Sequence, residues 1–66
     1  MKSLFIQFND SIKEALKRLN KSGKGSLVVV GEDDIFLGTL SDGDVRKAIL
    51  KGEKIKSSIK DIYNNN

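Results

Sequence analysis

The apolar residues of this chain follow a helical period in one segment and lose it in the next. In the first segment they recur at spacings of three and four, at Ile12, Ala15, Leu16 and Leu19. This spacing places them on one stripe of an amphipathic α-helix. Ser11 and Glu14 form a possible capping box at its start, and Gly23 and Gly25 are suited to end it. The pattern therefore predicts a first helix between Ser11 and Gly23.

Three short apolar runs lack the helical period and predict β-strands. The run Leu27–Val30 is rich in β-branched residues and does not alternate with polar ones, which is typical of a strand covered on both faces. Ile35–Leu40 follows it after a polar turn, so the two runs predict a hairpin. Leu4–Phe8 is a shorter run that predicts the first strand.

A second helix is predicted after the last strand. Ser41 or Asp42 is placed to cap its start, and Gly52 is placed to end it. Its inner face is predicted to consist of Val45, Ala48 and Ile49. The remaining tail carries three isoleucines, at Ile55, Ile59 and Ile62. Their surroundings of lysine and serine fit either a short helical turn or a linker, and residues 64–66 are expected to fray.

These elements give the order β-α-β-β-α in one small α/β (α+β) domain that spans residues 1–66. A three-stranded sheet with two helices has room for the helices on one face only. Because the strand composition indicates burial on both faces, we expect the other face to pair with a second copy of the chain. A homodimer also fits the length, since 66 residues without disulfides or metals are marginally stable alone.

The composition excludes several classes of function. The sequence contains no cysteine and no histidine, which removes disulfides, Cys/His zinc sites, thiol nucleophiles and histidine bases. Only carboxylates and lysines remain for acid–base chemistry, so we predict no catalytic residues, no metal site and no enzyme activity. The apolar runs are too short for a signal peptide or a membrane-spanning helix, so we expect a cytoplasmic protein without membrane contact.

The charge pattern does not favour nucleic acid as a partner. Twelve basic and nine acidic residues give a net charge of +3, and the two signs are interspersed along the predicted helices. This arrangement is typical of a solvated surface. The aromatic residues do not alternate with basic ones, as a stacking platform for bases requires. They are Phe5, Phe8, Phe36 and Tyr63. Nucleic-acid binding is therefore a minor alternative.

The turn between the last predicted strand and the second helix carries the best candidate site. It contains Ser41 and Asp44, and Gly38, which we expect to serve strand packing, lies three residues before Ser41. A helix N-terminus offers unpaired N–H groups, and short polar side chains beside it can reach a nucleotide. The same spacing is that of a capping box, which needs no ligand. From the residues alone, a pure cap and a cap that also binds a ligand both stay open.

The Gly-x-x-Ser-x-x-Asp motif of this turn, set in this order of elements, resembles the signature of the cystathionine β-synthase (CBS) motif. The likeness extends from about Leu4 to Tyr63 and includes a closing segment at 59–62. The sequence of Thr39–Arg46 is most similar to that of CBS motifs attached to sugar-phosphate nucleotidyltransferases. The resemblance implies a regulatory module that modulates an attached or partner enzyme, in which two motifs pack sheet to sheet. Either two chains supply the two motifs, or this sequence is part of a longer protein.

The same resemblance implies a ligand. AMP, ADP, ATP or S-adenosylmethionine would bind as a regulatory ligand in the cleft between paired motifs, and no cofactor is required. Asp44 would bond to the ribose hydroxyls, and Ser41 would bond to the ribose or the first phosphate. Arg46 or Lys47 would face a phosphate. The adenine would be flanked by an N-terminal segment and the central strand, at Phe5, Ile6, Leu27, Val28 and Val29.

This chain departs from the family pattern at Gly43, where many members carry an arginine. Only a main-chain group is available there for a phosphate. The alternative to nucleotide sensing is a ligand-free dimerisation or assembly module, because neither the fold nor the pairing of two sheets needs a ligand.

Overall fold

A computed structural model describes residues 4–65 of the chain. The elements, in chain order, are β1 (Phe5–Gln7), α1 (Ile12–Ser22), β2 (Ser26–Val30), a 3₁₀ turn (Glu32–Asp34), β3 (Phe36–Ser41) and α2 (Asp42–Leu50). The sheet has the order β1-β2-β3, with β1 parallel to β2 and β3 antiparallel to it. The predicted fold class and the order β-α-β-β-α are therefore confirmed.

Local side-chain chemistry sets the ends of α1. The Ser11 Oγ accepts a hydrogen bond from the Glu14 N–H at 3.1 Å, so the predicted N-cap is confirmed. The Glu14 carboxylate, which was expected to complete a capping box, instead accepts a bond from Arg18 Nε at 2.8 Å. Gly23 ends the helix in the left-handed region (φ 66°), and its N–H donates to the Leu19 carbonyl. Neither helix of the described chain is long and apolar enough to cross a membrane.

The two helices pack on one face of the sheet and form the core with it. Every residue of this core is at most 6% exposed. The sheet contributes Ile6, Leu27, Val29 and Leu40, and the helices contribute Ile12, Ala15, Leu19, Val45 and Ala48. The prediction that Ile49 shares the inner face of α2 is wrong, since Ile49 is 41% exposed. It lies at the margin of the stripe that Val45 and Ala48 define.

The opposite face of the sheet is uncovered in the single chain. We call it the open face and define it by Phe5, Val28, Phe36 and Thr39. The strand register places Phe5, Val28 and Thr39 side by side, with Phe36 further along β3. Phe5 is 37% exposed and Phe36 is 63% exposed, while Val28 is half-buried. The sequence predicted strands buried on both faces, and in the single chain these side chains of the second face stay partly or largely exposed.

The segment after α2 is an integral part of the domain, and we call residues 53–65 the C-terminal strap. Ile59 is fully buried in the core, and its N–H donates to the Asp10 carbonyl at 2.8 Å. The Ser57 carbonyl accepts the N–H of Ile12, the first residue of α1, at 2.8 Å. The strap therefore satisfies a main-chain donor that the start of a helix leaves unpaired. Neither a free linker nor an isolated helical turn describes it.

The end of the strap forms an isolated bridge with the outer edge of β3. The Thr39 N–H donates to the Asn64 carbonyl at 2.9 Å, and the Asn64 N–H donates to the Thr39 carbonyl at 2.8 Å. The prediction that the chain frays from residue 64 onwards is therefore wrong at Asn64 itself, because both of its main-chain groups are paired. Asn66, the last residue of that predicted tail, lies outside the described residues.

Candidate functional site

A complete capping box forms the turn between β3 and α2. The Asp44 N–H donates to Ser41 Oγ at 3.0 Å, and the Ser41 N–H donates to Asp44 Oδ2 at 2.9 Å. Ser41 is the N-cap and keeps an extended backbone (φ −97°, ψ 163°), as a residue does at the boundary between strand and helix. The cap that the sequence left open as one of two possibilities is therefore present.

The cap engages only part of the Asp44 side chain. Oδ2 accepts the Ser41 N–H, and the capping box makes no use of the second oxygen, Oδ1. Asp44 is half-buried and lines a groove of about 270 Å³ between α2 and the strap. The other lining residues are Lys47, Ala48, Lys51, Glu53, Asp61 and Ile62. Because a carboxylate has about four acceptor positions, Asp44 can cap the helix and still accept hydroxyl donors of a ligand.

The open face of the sheet begins beside this cap. Ser41 lies two residues after Thr39 in β3 and so shares its face, and Ser41 pairs with Ser26 across the sheet. Thr39 in turn stands next to Val28, and Val28 stands next to Phe5. The structure therefore brings together three of the predicted site residues, Ser41, Val28 and Phe5, on one surface that continues into the cap.

Three other predicted site residues have side chains that point into the core. Ile6, Leu27 and Val29 are at most 1% exposed, and all three belong to the hydrophobic cluster beneath the helices. Their side chains cannot touch a ligand on the open face, which corrects that part of the sequence prediction. An apolar run without alternation does not reveal which of its residues faces which side, so Val28 could not be distinguished from its neighbours before the structure was known.

Arg46 does not lie with Asp44. Its Nη2 donates to Asp42 Oδ2 at 3.0 Å, and its side chain is 73% exposed. Residues 42 and 46 share one side of α2, whereas Lys47 and Lys51 follow Asp44 on the groove side. Lys47 and Lys51 therefore share this groove with Asp44, and Arg46 does not. Helical spacing from Asp44 is the signal that identifies Lys47 and Lys51 in the sequence.

Arg18 holds the outer end of β1, a role that sequence reasoning missed. Its Nη1 donates to the Phe5 carbonyl at 2.6 Å, and its Nε donates to Glu14 Oε2. The hydrogen bond from Arg18 lowers the pKa of Glu14, and the positive charges of Arg18 and Lys17 act in the same direction. Glu14, Arg18 and Phe5 thus form a chain of contacts that positions the Phe5 end of the open face. Only the Glu14–Arg18 spacing of four was visible in the sequence.

Comparison with known proteins gives the same fold. A family profile described as "CBS domain" matches residues 1–51. An uncharacterized protein of Helicobacter pylori is 44% identical over 50 residues, which is 76% of this chain and 15% of that protein. The chain therefore spans only a small part of the length of the curated relatives that it matches.

Solved structures extend the match to nearly the whole chain. The CBS-domain-containing protein ATU1752 from Agrobacterium tumefaciens superposes with a TM-score of 0.87 at 25% identity, over 96% of this chain and 48% of that one. The CBS domain protein PAE2072 from Pyrobaculum aerophilum, solved in complex with AMP, has a TM-score of 0.85 at 19% identity, over 94% of this chain and 49% of that one. From its fold and from the family profile, this chain belongs to the CBS domain family.

Proposed function

We propose that this chain is one half of a regulatory module that binds an adenine nucleotide in a cleft completed by a second CBS motif. The observation that carries the proposal is the Asp44 carboxylate, which takes part in the capping box of α2 through one oxygen and does not use the other there. This carboxylate stands where the open face of the sheet meets the helix N-terminus. A polar anchor beside an apolar surface suits a nucleoside.

The residues at this corner match the parts of an adenine nucleotide. Asp44 would accept hydrogen bonds from the two ribose hydroxyls. Ser41 Oγ accepts the Asp44 N–H and would donate its own hydrogen to the ribose or the first phosphate. Phe5 and Val28 offer an apolar surface for the adenine ring, and Lys47, which lines the groove with Asp44, offers a cation for a phosphate. AMP, ADP, ATP and S-adenosylmethionine all contain the adenosine that these contacts would hold.

Two properties of the solved relatives support this proposal. PAE2072 was solved in complex with AMP, and this chain covers 49% of its length. This chain likewise covers 48% of ATU1752. These proportions suit a protein of two motifs, of which this chain would supply one. The second motif would be another copy of this chain, joined through the open face as a homodimer.

The regulated enzyme and the mechanism belong to the same proposal. The sequence of residues 39–46 favours a sugar-phosphate nucleotidyltransferase as the attached or partner enzyme. A nucleotide that contacts both motifs would favour one arrangement of the pair over others. The neighbouring enzyme would respond to that shift in population, and the chain itself would carry out no chemistry.

Calorimetric titration of the chain with AMP, ATP and S-adenosylmethionine tests the proposal. We expect at least one of them to bind at millimolar concentration or below. Asp44→Asn should weaken that binding by about tenfold or more, since a hydrogen bond to a charged group is lost. Asparagine still has a carbonyl oxygen for the Ser41 N–H, so the cap is kept. Asp42→Asn is the matched control, because it removes the same charge from the other side of α2.

The result that would overturn the proposal is the absence of binding by the wild-type chain to all three ligands. Equal weakening by Asp42→Asn and Asp44→Asn would also contradict it, because a general electrostatic effect would then replace a specific contact. The circular dichroism spectrum and melting temperature of each variant show whether the fold is kept.

A ligand-free assembly module is the second candidate. The capping box is complete without a ligand, so Ser41 and Asp44 already have a structural reason to be present. Exposed Phe36 gives the open face a reason to be covered that is independent of any nucleotide. A dimer in sedimentation, together with no nucleotide binding in these titrations, would favour this candidate.

A further inference from the structure

The first half of the C-terminal strap is fixed to the body of the domain. The N–H groups of Ile12 and Lys13 donate to the carbonyls of Ser57 and Ile55, each at 2.8 Å. Ile59 is fully buried in the core. Releasing this half would expose a large apolar side chain and two helix-start donors, so it can open only when much of the domain unfolds.

The second half of the strap is held more lightly. Beyond Ile59, Ile62 and Tyr63 pack against the core but are only half-buried, and a pair of main-chain hydrogen bonds joins the exposed residues Asn64 and Thr39. Partly exposed apolar side chains and exposed main-chain bonds are the marks of a segment that opens at a lower free-energy cost than a fully buried one. Residues 62–65 can therefore leave the sheet while the anchored half stays in place.

Gly38 is the position that lets this end of the strap reach β3. A Cβ at Gly38 would collide with the Asn64 carbonyl oxygen, and it would come within 3.0 Å of the Tyr63 ring. The nearest atoms to such a Cβ all belong to the strap. The backbone of Gly38 does not lie in the left-handed region. The absence of a side chain there thus serves strap docking, in line with the predicted packing role.

The strap also forms one wall of the groove beside Asp44. Asp61 and Ile62 line this groove together with Asp44 and Lys47. Ile62 lies in the part of the strap that is lightly held, two residues before the Asn64 bridge. A ligand that bonds to Asp44 in this groove would contact a wall that exists only while the strap is docked.

We propose that residues 62–65 act as a latch, whose docking on β3 is coupled to occupancy of the Asp44 groove. This inference rests on the proposed function, and it identifies the conformational change that ligand binding at that site would produce. The ligand binds the docked state better than the released state, because only the docked state supplies both walls. Ligand binding therefore shifts the latch towards docking, and by thermodynamic reciprocity a weakened latch lowers the affinity for the ligand.

Gly38→Ala is the variant that tests the latch, and Gly31→Ala is its control. The atoms nearest to an added methyl group at 38 belong to the strap, whereas those nearest to a Cβ at Gly31 belong to the Leu37 side chain. Hydrogen exchange of the Thr39 and Asn64 amides reports latch opening, since each amide donates to the other residue. Calorimetric titration with AMP reports occupancy of the groove in the same samples.

We expect AMP to slow exchange of the Thr39 and Asn64 amides in the wild-type chain. Gly38→Ala should speed their exchange without AMP and weaken AMP binding by roughly fivefold or more, the usual lower range of coupling between sites. Gly31→Ala should leave both quantities unchanged. A chain ending at Ile62 is a second variant, which removes the bridge without adding a methyl group and should weaken AMP binding in the same way.

Two results would overturn the latch while leaving nucleotide binding intact. The first is Gly38→Ala or the shortened chain opening the bridge yet binding AMP as tightly as the wild type. The second is AMP binding to the wild-type chain without slowing exchange at Thr39 and Asn64. Absence of AMP binding by the wild type is a different result, since it overturns the binding of this nucleotide and the latch together.

Discussion

The side chains of Ser41 and Asp44 each accept a hydrogen bond from the main-chain N–H of the other residue. This reciprocal arrangement determines the effect of substituting either one. Each side chain accepts one N–H at the start of α2, with distances of 3.0 Å and 2.9 Å. Alanine at either position would remove a cap contact and a proposed ligand contact at once. Asparagine at 44 separates the two roles, because it keeps a neutral acceptor for the cap and loses the charge.

Ser41→Ala should lower the free energy of unfolding by about 1 kcal/mol, since the N-cap acceptor of α2 is lost. Urea denaturation measures this change. Ser26→Ala is a suitable control, because Ser26 is exposed and lies directly opposite Ser41 in the sheet. A loss of equal size in both variants would show that strand pairing, rather than the cap, is responsible.

The Glu14–Arg18 pair should make stability depend on pH in the acid range. The Arg18 hydrogen bond lowers the pKa of Glu14 in the folded chain. A depressed carboxyl pKa stabilises the fold above the pKa of the unfolded state, and this contribution is lost as the pH falls through the folded pKa. In denaturation curves, Arg18→Met should therefore cost more stability at neutral pH than in strong acid.

Lys17→Met provides the comparison for that experiment. Lys17 Nζ stands 3.9 Å from Glu14 Oε1, against 2.8 Å for Arg18 Nε and Oε2, so its effect on the pH dependence should be smaller. Arg18→Met also removes the bond to the Phe5 carbonyl. That second loss does not depend on the titration of Glu14, and it would appear at every pH.

At the scale of whole elements, the starts of both helices were predictable because capping acts over three residues. Both caps join residues that are three positions apart, Ser11 with Glu14 and Ser41 with Asp44. The local sequence was therefore sufficient to predict both helix starts. The strap was not predictable, because its contacts join residues that are far apart in the chain. Ile59 shows the difficulty, since nothing in a run of lysines and serines marks it as a core residue.

Ile59→Ala should destabilise the domain by about 2–5 kcal/mol, the range for truncating a fully buried isoleucine. Ile55→Ala, at a strap position that is 48% exposed, should cost much less. Thermal or urea denaturation of the two variants gives the comparison. Similar costs would mean that the strap contributes through its main-chain bonds alone, and that the buried side chain adds little.

At the scale of the molecule, the sequence correctly indicated that both helices cover one face of the sheet, and it left the partner of the other face as a hypothesis. The candidate site likewise has one part that was predictable from the sequence and one part that was not. Its cap lies wholly within residues 41–44, so local spacing revealed it. The surface against which the adenine would lie depends on strand register, which pairs Phe5 with Val28 and Val28 with Thr39. Local spacing does not specify that register.

If the open face joins two copies, sedimentation at micromolar concentrations should show a dimer. Phe36→Ser should shift the chain towards the monomer, because Phe36 is a large apolar side chain of that face and is 63% exposed. Leu50→Ser is the control, since Leu50 is 81% exposed at the end of α2 and lies away from the sheet. A wild-type monomer over the whole concentration range would rule out the homodimer.

Hydrogen bonds at the outer edges of β1 and β3 affect how such a molecule can associate. The outer carbonyls of β1 are occupied, since Phe5 accepts from Arg18 and Gln7 accepts from the Asp10 N–H. The outer side of β3 is occupied at Thr39 by the strap. Strands with occupied edges resist adding further strands side by side. If copies of this domain pair through the open face, as we propose, these edge contacts favour closed pairs over open-ended growth into fibres.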